Sequence, residues 1–506
     1  MKIAVIGGGP AAASACIGLL SEGSHDVHVL DIGRETKGPS WMLDHPILWG
    51  RRDMAQLHRS VLGHSDGWIP EKSFRGAFPI KYDGTDVIYK SDVLGGLSKF
   101  WGASFLPFTD ADMGDWPITY GELSPYYYEV LRHLKVAGEA DRLSEYFLEP
   151  LFNQPPISTP AIFQRLGHAV NASDGPTSRE GAGFVAGSPR LAVATSGDQS
   201  CTYCGHCFYG CYRDSIYSAD QTINELSARH LIRYRSGQKV DSFRRSVGGR
   251  TQLTITGTDG VCEVESFDRV YIGAGCIEST RIVARSLGIV KETFGIRENP
   301  MFYVPIVYIG SPEKTRMNSV VALNNLLLGR LPGGAFTRYV HMQVYPLNPY
   351  LWRHAFARAF GVGGIPLARL ASAMIGGQVL MMLFYFHGDY SEGSSLGFSP
   401  DGDQFRFQRG DTDKLAKELV SDLDAHLRNT GFRVIASAMA PLAAGGSYHY
   451  AGTIPMGGSK LGVGPDCQID QGVFLVDSAT FPSLPAQNHT FTIMANSLRV
   501  ARESLQ

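Results

Sequence analysis

The chain has 506 residues, 44% of them hydrophobic and 19% charged, and a net charge of -2. At about 150 residues per domain it allows two to four units, and its composition is that of a folded soluble protein. The near-neutral charge gives no electrostatic reason to expect nucleic acid or an anionic membrane as a partner.

The first apolar run begins at Lys2, which leaves no room for a signal peptide, so a cytoplasmic protein is expected. The least charged apolar stretch, residues 370–386, contains Gly376-Gly377 and falls short of the roughly 20 residues a membrane helix needs. It is expected as a helix end followed by a buried strand. The amphipathic segment 351–360 reads as a lid or a subunit contact, as in a homo-oligomer, with a lipid surface as the alternative.

Lys2-Ile-Ala-Val-Ile6 followed by Gly7-Gly-Gly-Pro-Ala-Ala12 reads as strand, tight turn and helix start. A second strand, Val27-His-Val-Leu30, ends on Asp31, about 20 residues beyond the glycines. In a βαβ unit Gly7 allows the sharp turn, and Gly9 lets backbone N–H groups approach a pyrophosphate at the positive helix end. Ala12 keeps helix and sheet close, and Asp31 accepts hydrogen bonds from a ribose. The constellation predicts dinucleotide binding without separating FAD from NAD.

Residues 41–68 hold several Trp and His with no clear period, and no role is assigned to them. Ser91-Asp-Val-Leu-Gly-Gly-Leu-Ser-Lys-Phe-Trp-Gly102 has paired glycines and an aromatic pair, which suits a backbone packed against a flat ring. Residues 117–135 predict a helix entered through Ser124 and Pro125. A Pro-, Gly- and Ser-rich excursion follows over 151–200, and residues 264–275 return to a strand ending in a glycine turn. The runs 302–309, 336–345 and 378–386 and a hairpin over 395–407 around Asp401-Gly402 predict a largely antiparallel sheet with helices on one face. Asp411 then caps a helix whose Leu415, Leu419, Leu423 and Leu427 form a core stripe ending before Gly431.

The tail carries Ser447-Tyr-His449-Tyr-Ala-Gly-Thr453-Ile-Pro-Met456-Gly457, then Gly472-Val-Phe-Leu-Val-Asp477-Ser478-Ala-Thr-Phe-Pro482, then Asn488-His489-Thr490-Phe-Thr492. These three blocks, in this order, resemble the signature of the glucose-methanol-choline (GMC) oxidoreductases, which bind FAD and oxidise alcohols. Adjacent Asp477 and Ser478 are a small departure from the family pattern. The resemblance takes in the whole chain, although 300–440 matches in placement only. It implies a cofactor site drawing on Gly7, Gly9, Ala12, Asp31, Gly95, Gly96, Ser98, Trp101, Val240, Gly273, Gly275, Asp477, Asn488 and Thr490.

The block before Trp101 looks most like the pyranose oxidase branch, where a His beside the Trp carries a covalent flavin. Phe100 stands there and cannot form that bond, so a dissociable FAD is expected. The resemblance makes His449 the catalytic base and Asn488 its partner. An imidazole with a pKa near 6.5 can take a hydroxyl proton while hydride leaves the same carbon for the flavin. His489, where the family commonly has Pro, is the competing base.

Cys201-Thr-Tyr-Cys204-Gly-His-Cys207-Phe-Tyr-Gly-Cys211 has the spacing of a ferredoxin iron-sulfur run, with Tyr212 where Pro follows in ferredoxins. An iron-sulfur cluster, a metal-free loop and a four-thiolate zinc site all remain open. Some bacterial sugar dehydrogenases of the family carry such a cluster.

The expected architecture is α/β. A discontinuous Rossmann-like FAD-binding domain (1–120, 201–300 and 441–506) would hold an inserted α+β substrate domain (121–200 and 301–440) built on a largely antiparallel sheet. The expected activity is oxidation of an alcohol, with a secondary hydroxyl of a sugar or glycoside as the expected substrate and oxygen or a quinone as acceptor. A lipophilic alcohol such as a sterol, or a non-oxidising flavoprotein, are the alternatives.

Overall fold

The computed structural model describes residues 1–33, 77–81, 87–99, 101–147, 151–172, 183–203, 207, 211, 213–310, 321–346, 376–398, 403–458 and 461–506. The Trp- and His-containing region 41–68, Phe100, Cys204, segment 351–360 and the Asp401-Gly402 turn lie outside them.

Strand β1 (Lys2–Ile6) has four consecutive buried residues, as a strand covered on both faces should. The chain turns at Gly7, where φ is +104° and a Cβ would lie 2.6 Å from the Gly273 carbonyl oxygen. It enters helix α1 (Pro10–Ser21) with Gly9 at the N-cap and Pro10 at the first position, where the missing N–H costs nothing. Strand β2 (Asp26–Leu30) pairs in parallel with β1, Ile6 opposite Leu30.

Helix α2 (Tyr120–Leu131) corrects the expected entry through Ser124 and Pro125. Thr119 is the N-cap, and it forms a capping box with Glu122. Two backbone N–H groups satisfied reciprocally outweigh a Ser-Pro pair. Pro125 lies inside the helix, and the Ser124 hydroxyl donates to the Gly121 carbonyl, the one that Pro125 cannot serve.

Next in the chain come α3 (Ala161–Ala172), β3 (Phe184–Gly187), β4 (Arg233–Arg235) and β5 (Arg269–Ile272). The strand expected over 264–275 is two strands: residues 262–267 join a separate three-stranded sheet, and β5 starts after Asp268. Then follow β6 (Met301–Tyr308), β7 (Leu326–Arg330), β8 (Val340–Pro346), β9 (Val379–Tyr385), α4 (Thr412–His426) and β10 (Phe432–Val434). The chain closes with β11 (Gln468–Asp470), β12 (Val473–Leu475) and α5 (Thr490–Glu503).

A six-stranded sheet runs in the order β11-β12-β5-β1-β2-β4, parallel except for its edge strand β11. Helices α1 and α5 pack closely because α1 is built of small residues. A Cβ on Gly18 would come within 2.8 Å of the Leu498 carbonyl oxygen. The Ser14 and Ser497 hydroxyls each donate across the contact, to Met494 O and Ala11 O, both at 2.6 Å.

The runs 302–309, 336–345 and 378–386 contribute strands to one antiparallel sheet, of seven strands with β10-β6-β9-β8-β7-β3 as its main path, but the hairpin over 395–407 does not join it: residues 395–397 and 404–406 pair with each other, and 395–397 with 293–295, in a separate three-stranded sheet. One face of the seven-stranded sheet, carrying Phe302, Val304, Met342 and Phe384, packs on α3 and α4. Leu419, Leu423 and Leu427 lie in that core, as the stripe predicts, together with Ala416 and Val420, while Leu415 is only partly buried against it. Strand side chains alternate between faces, so the other face presents His341, Gln343 and Tyr345 from β8 and Tyr385 from β9.

Residues 121–200, expected to open the inserted domain, divide between the two cores. Leu123, Tyr127, Val136, Leu151 and Leu191 pack with the six-stranded sheet. Ile162, Leu166 and Phe184 pack with the seven-stranded one.

Candidate active site

His449 sits in the loop before the two-residue strand 450–451, which pairs antiparallel with residues 297–298, Glu298 opposite Tyr450. That register carries Asn299 to the position opposite His449. Glu298 is buried and accepts from the Gly445 N–H at 2.9 Å and the Ser447 hydroxyl at 3.3 Å, which ties down the loop. Tyr448, just before the histidine, has a φ of +62°. A bulky residue there is strained, and such strain persists where surrounding contacts over-determine the backbone.

Two amides flank the His449 ring. Asn299 Oδ1 lies 2.9 Å from Nδ1, and Asn488 Nδ2 lies 3.0 Å from Nε2. Asn488, just ahead of α5, accepts on Oδ1 from Gln343 Nε2 at 2.7 Å. Gln343 Nε2 also lies 2.9 Å from His341 Nε2, and Gln343 Oε1 accepts from the Tyr345 hydroxyl at 2.5 Å. Tyr385 stacks on the His449 ring with centroids 5.5 Å apart.

Burial lowers the His449 pKa to about 4 and that of His341 to about 3, because removal from water disfavours the charged imidazolium. Both rings are therefore neutral at pH 7. His489 meets His449 edge-on at 5.0 Å, and burial holds its pKa well below the ordinary value. Its Nδ1 has no hydrogen-bond partner among the described residues.

The glycine turn forms a separate cradle. The Gly95 N–H donates to the Gly8 carbonyl at 3.0 Å, and a Cβ on Gly96 would lie 3.3 Å from the Gly9 Cα. Among the described residues nothing stands within 4 Å of where Gly9 would carry a Cβ, which leaves the N-terminus of α1 open on that side. The Asp31 carboxylate lies beside Gly8 and receives the Tyr234 hydroxyl at 3.3 Å. Burial raises its pKa to about 6. An open helix N-terminus with a carboxylate beside it matches a pyrophosphate joined to a ribose. These residues fit the dinucleotide part of FAD.

The remaining sequence candidates take supporting positions. Ser98 donates to the Gly95 carbonyl at 2.5 Å and receives the Ala219 N–H at 2.9 Å, and Trp101 Nε1 donates to the Tyr217 carbonyl at 2.8 Å. Asp477 is buried, with Oδ2 accepting from the Gly275 N–H at 2.9 Å and the Ser279 hydroxyl at 2.5 Å. It thereby anchors the turn after β5. Gly273 packs against Ala11 and the Ala12 nitrogen, at 3.2 and 3.3 Å from its Cβ position, and Ala12 is fully buried. Val240 is buried in the strand 239–245, and Thr490 opens α5.

Among the described residues no three His, Cys, Asp or Glu side chains come together as metal ligands, and Cys204 lies outside them. The Cys201 and Cys211 sulfurs accept backbone N–H groups from Tyr203 at 3.4 Å and Ser215 at 3.3 Å. No helix among the described residues is long and apolar enough to cross a membrane.

Sequence reasoning missed Asn299, His341, Gln343, Tyr345 and Tyr385. For three of them a signal existed: in Val340-His-Met-Gln-Val-Tyr345 every second residue is polar or aromatic, which marks one face of a strand.

No family model matches the chain, and no curated protein matches it. Among solved structures it is similar to pyridoxine 4-oxidase from Mesorbium loti, with a TM-score of 0.62 and 14% identity. The match covers 99% of this chain and 98% of that one. At that identity the likeness is one of fold, along the full length of both chains.

Proposed function

We propose that the chain is a flavin-dependent oxidoreductase of the GMC type that oxidises an alcohol to a carbonyl compound. The observation that carries this is the His449 to Asn488 contact, at the N-terminus of α5 and against the sheet face that carries Gln343 and Tyr385. The ordered tail blocks and the full-length fold likeness to an oxidase support it.

FAD, when bound, supplies the two-electron acceptor for the hydride of the carbinol carbon. Gly7, Gly9 and the first turn of α1 would hold its pyrophosphate, and Asp31 its ribose. The chain's own part in the chemistry is proton handling. His449 Nε2, neutral at pH 7, takes the hydroxyl proton. Asn488 Nδ2 donates to the substrate oxygen, and it cannot compete for the proton because an amide is not a base. The contact between the two opens to admit the hydroxyl.

A sugar or glycoside hydroxyl is the preferred substrate class, because His341, Gln343 and Tyr345 give the sheet face at Asn488 a polar lining. A lipophilic alcohol is the second reading, favoured by Val379 and Met381 packing with Tyr303, Val307 and Leu383. Anaerobic addition of sugars, pyridoxine, simple aryl alcohols and a sterol to the flavin-loaded protein tests this. Bleaching of the flavin by one of these alcohols supports the proposal, and the class that bleaches it fastest names the substrate. No bleaching by any of them favours a non-oxidising flavoprotein.

A further inference from the structure

The two nitrogens of a neutral imidazole are different groups, one a donor and one an acceptor, and only the acceptor can serve as a base. In most folded proteins the choice is left to whichever partner happens to be near. Here the partner of His449 Nδ1 has no freedom of its own.

Asn299 is fully buried. Its Nδ2 donates to the carbonyl oxygens of Phe386 at 2.9 Å, Pro485 at 2.9 Å and Leu484 at 3.3 Å. Turning the amide over would aim its carbonyl oxygen at three backbone oxygens and strand them all in the interior, where each unpaired polar group costs roughly 1–3 kcal/mol. The amide therefore has one orientation, with Oδ1 toward His449. An amide oxygen only accepts, so Nδ1 must carry the hydrogen. Nε2 is left bare, facing the donor Asn488 Nδ2 at 3.0 Å.

We propose that Asn299 is a positioning residue that locks His449 in the Nδ1–H tautomer and keeps Nε2 free to accept the substrate proton. This rests on the base assignment made above and adds to it the group that makes the base competent. Because Asn299 is uncharged, it fixes the tautomer while stabilising the imidazolium less than a carboxylate at the same place would.

The tautomer and its titration are read on the as-purified holoenzyme and need no substrate. The protein is labelled with nitrogen-15 in its histidines, and His449 is assigned by its loss in His449→Gln. Long-range proton-nitrogen spectra report the tautomer and its titration. We expect the wild-type ring as the Nδ1–H tautomer at pH 7. Asn299→Asp retains an acceptor toward Nδ1 and should keep that tautomer, with a proton on its second oxygen serving the backbone carbonyls that the amide served. Asn299→Leu removes the acceptor and should give mixed tautomers, with roughly a 10²- to 10⁴-fold loss of flavin reduction, the scale of a lost base.

A wild-type ring protonated on Nε2, or an Asn299→Leu variant that stays wholly in the Nδ1–H tautomer, overturns the proposal. A merely structural role would lower protein yield and leave the tautomer unchanged. The tautomer is read whether or not any alcohol reduces the flavin, so failure here and failure of the proposed activity remain distinguishable.

Discussion

At the scale of residues, the site brings together groups with opposite protonation behaviour. Burial lowers the pKa of His341 to about 3, of His449 to about 4, and of His489 further. Between about pH 4 and 6.5 the unfolded chain therefore binds more protons at these residues than the folded one, and their contribution to stability rises with pH. It is present above the unfolded value of 6.5 and is lost on acidification. Asp31, Asp477, Asp214 and Asp422, whose pKa values burial raises, act in the opposite sense. We expect the wild type to lose more stability than His341→Gln between pH 7 and pH 5, measured as melting temperature; equal slopes would remove His341 from the account. Asn488→Asp should slow flavin reduction more than Asn488→Ala, because a carboxylate opposes the negative charge that develops on the flavin. Rapid-mixing reduction kinetics rank the two. The tail blocks made His449 and Asn488 legible in the sequence because they are local patterns. Asn299 was not legible, since the strand pairing that faces it to His449 joins distant parts of the chain.

At the scale of elements, glycine turns and caps do the positioning. A Cβ on Gly8 would fall well inside contact distance of the Asp31 carboxylate and 2.8 Å from Leu94 Cδ1. Gly8→Ala should therefore displace the carboxylate and lower the bound FAD per chain, measured by absorbance after desalting, without unfolding the protein. Thr119→Ala removes the capping box of α2 and should cost roughly 0.5–2 kcal/mol in denaturant unfolding. The first βαβ unit could be read from sequence because strand, turn and helix signals lie within some thirty residues. The helix over 120–131 was read with the wrong start because Ser-Pro and Thr-x-x-Glu compete there, and only the latter satisfies backbone donors in both directions. Strand β8 was recognised as a strand, yet alternation says which residues share a face and nothing about what that face meets.

At the scale of the whole molecule, the parallel sheet supplies the glycine turns proposed to hold the cofactor, and the antiparallel sheet supplies the face against which Asn488 is held. The layered order was legible from where each kind of period occurs along the chain. The division of residues 121–200 between two cores was not, because a loop-rich stretch carries no mark of the core it joins. Acid precipitation should leave the flavin in the supernatant, the outcome that Phe100 beside Trp101 implies; yellow colour held in the pellet would mean a covalent bond. The central claim is that His449 is the base of an alcohol oxidation, and anaerobic stopped-flow reduction of the flavin in wild type, His449→Ala and His489→Ala tests it most directly. With the alcohol that bleaches the wild type fastest, the account predicts a roughly 10²- to 10⁴-fold slower reduction in His449→Ala at unchanged FAD content, and a smaller effect in His489→Ala. Equal rates in wild type and His449→Ala, or a larger loss in His489→Ala, would contradict it.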